Sequence, residues 1–214
     1  SRGSLMFISQ RFPFLLIAAA ILGGQFAHCG HVTAKQPNIL FIYTDDQSHR
    51  TVSCYDEAFD WVQTPNIDQL AREGMIMTDH YSGAPVCAPA RAVLMTGLHT
   101  GNNPVRGNSE WRERGEVWSF KAMFENPNLE GQRPMPDSII TIASIFKSKG
   151  YKTGMVGKWG LGAPNTNSIP NKKGFDFFYG YNCQRQAHTL YPSHLWRNQE
   201  RRILNNKIVN KQSL

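Results

Sequence analysis

The sequence predicts an α/β fold, a mainly parallel sheet flanked by helices. Three observations carry this reading. Residues 38–43, NILFIY, form a short apolar run without alternation, the pattern of a strand buried on both faces. Helical patterns follow at residues 66–73, from Ala88 or Pro89 to Thr96, and from Ile139 towards Gly150. Strand-like stretches at 75–80 and 152–156 fall between them, and strands alternating with helices mark this class.

Each element has its own signals. Thr64-Pro65 introduces the first helix with Pro in its first turn, and Gly74 stops it. Gly97 terminates the second helix. In the third, Pro136-Asp137-Ser138 is the expected cap and Ile139, Ile142, Ile145 and Phe146 the expected apolar face. Residues 97–118 are rich in Gly, Asn and Arg and lack periodicity. A loop of that length in a compact domain is either functional or disordered. Residues 160–174 read as a second irregular stretch. After Trp196 the chain turns polar and basic, with no evident closing strand or helix.

Composition narrows the class. The chain has 214 residues, 41% hydrophobic and 18% charged, which suits a folded domain and excludes wholesale disorder. Lys and Arg total 23 against 16 Asp and Glu, a net charge of +7 that favours acidic partners or reflects only an uneven surface. Residues 12–22, FPFLLIAAAIL, follow Arg11 and are too short to span a bilayer comfortably. They match the apolar core of a secretory signal, with cleavage after Ala34 or Ala27. Residues 1–34 are therefore expected to be a signal peptide with upstream residues, residues 35–214 the mature domain, and the location secreted or periplasmic. Cleavage after Ala34 would remove Cys29 with the signal. No CxxC pair or zinc spacing occurs. Cys54 and Cys183 would form a disulfide if the fold brought them together, leaving Cys87 to be explained.

Four places carry candidate chemistry. Asp45 and Asp46 are adjacent carboxylates after an apparent strand. A hard cation would relieve their repulsion, and a solvated turn is the plainer alternative. Cys87 directly precedes a helix, where amides and macrodipole favour negative charge, and Arg91 returns to the same face one turn on. That arrangement suits an oxyanion or a thiol nucleophile, and equally a structural cysteine. Lys158 lies among Gly157, Gly160 and Gly162, whose spacing is neither a P-loop nor a dinucleotide fingerprint. His188 and His194 flank Leu190-Tyr191-Pro192 and could serve as general acid, metal ligand or structural residue. Arg185 and residues 197–202 read as a solvated basic face.

Taken in order, these pieces resemble a known family. Residues 38–46 ending in Asp45-Asp46, then Cys87-Ala88-Pro89-Ala90-Arg91 running into Leu94-Met95-Thr96-Gly97, then Gly157-Lys158-Trp159, resemble the type I sulfatases of the alkaline phosphatase superfamily. Residues 174–181, GFDFFYGY, are similar to its bacterial arylsulfatase and N-acetylgalactosamine-6-sulfatase-like members. The resemblance implies an alkaline-phosphatase-like fold, incomplete at the C-terminus. It implies hydrolysis of a sulfate ester by a formylglycine (3-oxoalanine) that a maturation enzyme makes from Cys87. Asp45, Asp46 and the Cys87-derived oxygen would hold Ca²⁺ in preference to Mg²⁺. Arg91 would hold the hydrated aldehyde, and Lys158 would neutralise the sulfate. The implied partner is a sulfated small molecule or polysaccharide, not nucleic acid, with no stable membrane insertion. Many relatives carry His at the position of Gly160, and His188 is the candidate substitute. The chain is expected to be the N-terminal part of a longer enzyme, with a metal shell too thin for more than weak activity alone. A phosphoesterase of the same superfamily and a non-catalytic polyanion-binding module are the alternatives.

Overall fold

The computed structural model describes residues 36–204. The expected signal peptide lies outside them. Among the described residues no helix is long and apolar enough to cross a membrane. The chain divides into a first unit ending at Tyr81 and a second beginning at Ser82.

In the first unit, α1 (Pro65–Glu73) starts with Pro at its first position, as the sequence predicts. The Thr64 side chain does not cap the helix end and instead joins a small polar knot. Thr64 Oγ1 donates to Asp68 Oδ1 at 2.8 Å, and Ser53 Oγ donates to Asp68 Oδ2 at 2.7 Å. These bonds, Ser53's foremost, hold the Asp68 carboxyl below its ordinary range. A 3-10 turn at His49–Thr51 precedes the knot.

The two strands expected in this unit do not form. Residues 38–43 and 75–80 have no strand pairing, and Leu40 is 80% exposed. The reason is physical. A helix makes its hydrogen bonds within itself, whereas every strand bond comes from a neighbour. An apolar run therefore becomes a buried strand only where flanking strands are present to pair with it.

The second unit contains α2 (Cys87–Thr96), α3 (Phe120–Glu125), α4 (Ile142–Ser148) and α5 (Gln184–Ala187). Its sheet is formed by β1 (Gly154–Lys158), β2 (Phe177–Tyr181), β3 (His194–Arg197) and β4 (Glu200–Ile203), in the order β1-β2-β3-β4. The α/β class therefore holds. The pairing within this sheet is mixed: β1 and β2 are parallel, with Lys158 opposite Tyr181, whereas β3 and β4 add on antiparallel.

The β3–β4 hairpin corrects the expectation that no element follows Trp196. Its two-residue turn places Asn198 at φ 55°, the left-handed conformation that such turns need and Asn tolerates. Asn198 Oδ1 also accepts from the Phe178 N–H at 2.9 Å, fastening the hairpin to β2.

Helix α4 is shorter than predicted and presents a different face. Thr141, not residues 136–138, is its cap, and Thr141 Oγ1 also donates to the Lys173 carbonyl. Fixing the start there turns Ala143 inward and leaves Ile142 and Ile145 exposed. Ile139, ahead of the helix, packs on the core. The salt bridge from Lys147 Nζ to Asp176 Oδ1, 2.7 Å, ties the helix to the start of β2.

The core gathers Ala88 and Ala92 of α2 with Trp159, Leu161, Phe175, Phe178 and Trp196. Trp159 is fully buried, meets Phe175 edge-on, and donates its indole N–H to the Ser168 carbonyl at 2.7 Å. None of Cys54, Cys87 and Cys183 is in a disulfide, so the one considered for Cys54 and Cys183 is not made.

Candidate active site

Helix α2 sets the site. Ala88 and Ala92, four residues apart, share its core-facing side and are completely buried. Cys87 and Arg91 have the same spacing one position earlier, so burial of the alanine pair fixes where they project. Cys87 is the first helical residue and is partly exposed. Gly97 closes the helix in the left-handed conformation at φ 67°, which favours glycine, and its N–H bonds the Val93 carbonyl.

The start of α2 is fastened from a distance. Val86 occupies the cap position and has no side chain able to accept a hydrogen bond. The Ala88 N–H instead donates to Asn108 Oδ1 at 2.8 Å. Asn108 belongs to the long loop at 97–118, which is itself anchored. Asn103, buried within it, donates to Thr96 Oγ1 at 2.9 Å and accepts from the Val105 N–H at 3.1 Å. The loop is thus ordered, a brace for the helix that carries Cys87. Sequence reasoning passed over Asn108. The signal was there, since a helix start preceded by Val needs an acceptor from elsewhere.

Arg91 is only 7% exposed. Its Nη1 donates to Gln184 Oε1 at 3.4 Å. Gln184 opens α5, and its own N–H donates to Gln132 Oε1 at 3.0 Å. Gln184 and Gln132 were not recognised in the sequence. Both sit directly beside the carboxyl ends of the parallel strands. Register continues past the strand ends, with the Trp159 N–H bonded to the Tyr181 carbonyl and the Gly160 N–H to the Asn182 carbonyl. Lys158, the last residue of β1, is partly exposed at this edge. The second unit therefore brings Arg91, the end of β1 and α5 to the carboxyl edge of its parallel pair, where open α/β sheets place their sites.

His188 is exposed and caps α5 one turn after Gln184. His194 is buried. Its Nε2 lies 2.8 Å from Glu130 Oε2, and Trp196 donates to Glu130 Oε1 at 2.8 Å, so His194 belongs to the interior. The basic face is less free than expected. Arg185 donates to the Trp118 carbonyl and stacks over Trp118 and Phe120, while Arg201 donates to the Phe124 carbonyl at 2.7 Å.

Asp45 and Asp46 lie in the first unit and are exposed, with Asp46 at φ 54°. Their chemistry suits a hard cation, but two carboxylates are few where Ca²⁺ takes six to eight oxygens. Among the described residues no group of three or more His, Cys, Asp or Glu could hold a metal.

Comparison with known proteins gives a consistent picture. The sulfatase family model matches residues 37–210. Human steryl-sulfatase is 35% identical over 177 residues, which are 80% of this chain and 27% of that protein. Human arylsulfatase D is 35% identical over 152 residues, 69% of this chain and 23% of that protein. The chain thus spans about a quarter of the length of these relatives. Among solved structures, a sulfatase from work on glycosaminoglycan metabolism by Bacteroides thetaiotaomicron aligns at a TM-score of 0.60 and 25% identity. It covers 78% of this chain and 32% of its own. The crystal structure of Ps i-CgsB aligns at 0.50 and 28% identity, over 68% of this chain and 33% of its own.

Proposed function

The chain belongs to the sulfatase family, and from that premise we propose that it supplies the nucleophile-bearing part of an enzyme that hydrolyses a sulfate ester. The observation that carries the reading is the first turn of α2, where a partly exposed Cys87 precedes a buried, hydrogen-bonded Arg91. Cys87 is partly exposed and is not held in a disulfide, which leaves its sulfur available for conversion to formylglycine. Formylglycine at position 87 would supply an oxygen nucleophile in place of the thiol, held by the residues around the start of α2.

The remaining roles fall to the chain's own residues. Arg91, held by Gln184, would orient the nucleophile and keep positive charge beside it. Lys158 would neutralise sulfate oxygens as charge gathers on them. His188 would stand in for the imidazole that many relatives carry two residues after the lysine, with proton transfer as its chemistry. Asp45 and Asp46 would be this chain's contribution to Ca²⁺ binding, preferred over Mg²⁺ by a flexible oxygen site. Substrate is a sulfated small molecule or saccharide, and the setting secreted or periplasmic. The steryl-sulfatase and the glycosaminoglycan-related structure among its relatives support both substrate types.

The test compares 4-nitrophenyl sulfate with 4-nitrophenyl phosphate as substrates for the intact enzyme. Expected are sulfate turnover, its loss in Cys87→Ala, and an aldehyde mass at the Cys87 peptide of the parent. Faster phosphate turnover would replace the reading by a phosphoesterase. An unmodified thiol in a fully active enzyme would remove the formylglycine mechanism.

A further inference from the structure

We propose that Gln184 is the positioning residue for Arg91, and that the absence of a side chain at Gly160 makes room for its amide. The inference rests on the sulfatase reading for the role of Arg91, but its geometric basis is separate.

Three observations converge on Gln184. Its Oε1 accepts from Arg91 Nη1 at 3.4 Å, between two side chains at least nine-tenths buried. A guanidinium in such a place needs acceptors to hold its plane, and a carboxamide provides one without adding a second charge. Gln184 is in turn fixed through its backbone by Gln132, whose own N–H bonds the Gly162 carbonyl at 2.9 Å. The chain segment after Lys158 thereby sets the position of the amide that meets Arg91.

The second observation is steric. Gly160 has φ 70°, and a Cβ built on it would lie 2.4 Å from Gln184 Oε1. A side chain at position 160 would therefore have to displace the tip of the Gln184 side chain, the part that meets Arg91.

The third is the cost of the arrangement. Gln184 Nε2 is buried with no hydrogen-bond partner among the described residues. A buried donor left unmet destabilises the fold, so an apolar side chain of the same length would pack better. The contact of the amide oxygen with Arg91 offsets that cost. His188, one turn further along α5, remains the exposed imidazole of this segment.

The experiment uses the intact enzyme and three variants of Gln184. Gln184→Met keeps the length and removes the acceptor. It is expected to lower kcat about tenfold or more, the loss of a hydrogen bond to a charged group, with KM, melting temperature and Cys87 conversion near those of the parent. Gln184→Glu keeps an acceptor oxygen in either ionisation state and should return most of the lost kcat. If Gln184→Met does not fold, Gln184→Asn keeps the amide but withdraws it from Arg91, and the same fall in kcat is expected.

Unchanged kcat in Gln184→Met, or a loss fully accounted for by poorer folding or by less aldehyde at Cys87, would overturn the proposal. So would failure of Gln184→Glu to recover activity lost in Gln184→Met. A second measurement separates this from the sulfatase reading. In a denaturation double-mutant cycle, Arg91→Lys and Gln184→Met should be non-additive whether or not the parent turns over sulfate. An inactive parent sinks the sulfatase reading alone, and additivity in the cycle sinks this one.

Discussion

The two cysteines of the second unit show how environment divides one residue type into two uses. Cys183 is completely buried, and burial, reinforced by the nearby Glu130 charge, pushes its thiol up to about 12. It stays protonated and inert under ordinary conditions. Cys87 sits partly exposed at the first position of a helix. Treatment of the folded protein with iodoacetamide at mildly alkaline pH should leave Cys183 unmodified while Cys54 reacts. Denaturant should then expose Cys183, a pattern read directly by peptide mass mapping. Rapid labelling of Cys183 in the folded state would contradict its placement in the core. At this scale motif spacing is what singles out Cys87, Arg91 and Lys158 as candidates. It could not show Gln184, which lies 93 residues beyond Arg91 and carries no spacing signal. Nor could it separate His188 from His194, since only packing makes one exposed and the other buried.

Among the elements, α2 depends on a partner outside itself. Its cap position is Val86, so the bond from the Ala88 N–H to Asn108 Oδ1 carries the capping role across the loop. Asn108→Ala should destabilise the second unit by about 1 kcal/mol, the usual worth of a helix cap. Chemical denaturation measures that loss, and it should be accompanied by reduced sulfate turnover. No change in either would mean that the helix start is held by packing alone. Helices were the more legible elements because their signals are local. Pro65, Gly97 and the apolar spacing of α2 were readable in place. Residues 38–43 and 75–80 had equally clear composition, but their backbone bonds depend on neighbours that a linear pattern does not name. The β3–β4 hairpin was missed for the opposite reason. Its residues are polar and basic, and the strand pairing is secured by Asn198 at the turn and by its bond to Phe178.

The whole chain is a pair of units, each with one part of the expected chemistry. The carboxylates Asp45 and Asp46 belong to the first, and Cys87, Arg91, Lys158 and His188 to the second. With two carboxylates offered to a cation that takes six to eight oxygens, the 214-residue chain alone should bind Ca²⁺ weakly and turn over little sulfate ester. Isothermal titration should show millimolar or weaker affinity on the order of 10⁻³ M, the range of undemanding calcium sites. Tight stoichiometric binding, or robust turnover by this chain after maturation, would refute that. The net charge of +7 was a poor guide to function at this scale, because part of it is spent on stacking and capping. Arg185 and Arg201 lie over aromatic rings and donate to backbone carbonyls, as ordinary structural side chains do.

The close approach of Gly160 to the Gln184 amide also bears on how this family diversifies. Two positions 24 residues apart in the chain are thereby linked: a side chain gained at 160 must push the amide tip of Gln184 aside, away from Arg91. Change at 160 is then felt at Arg91 even though the two never touch.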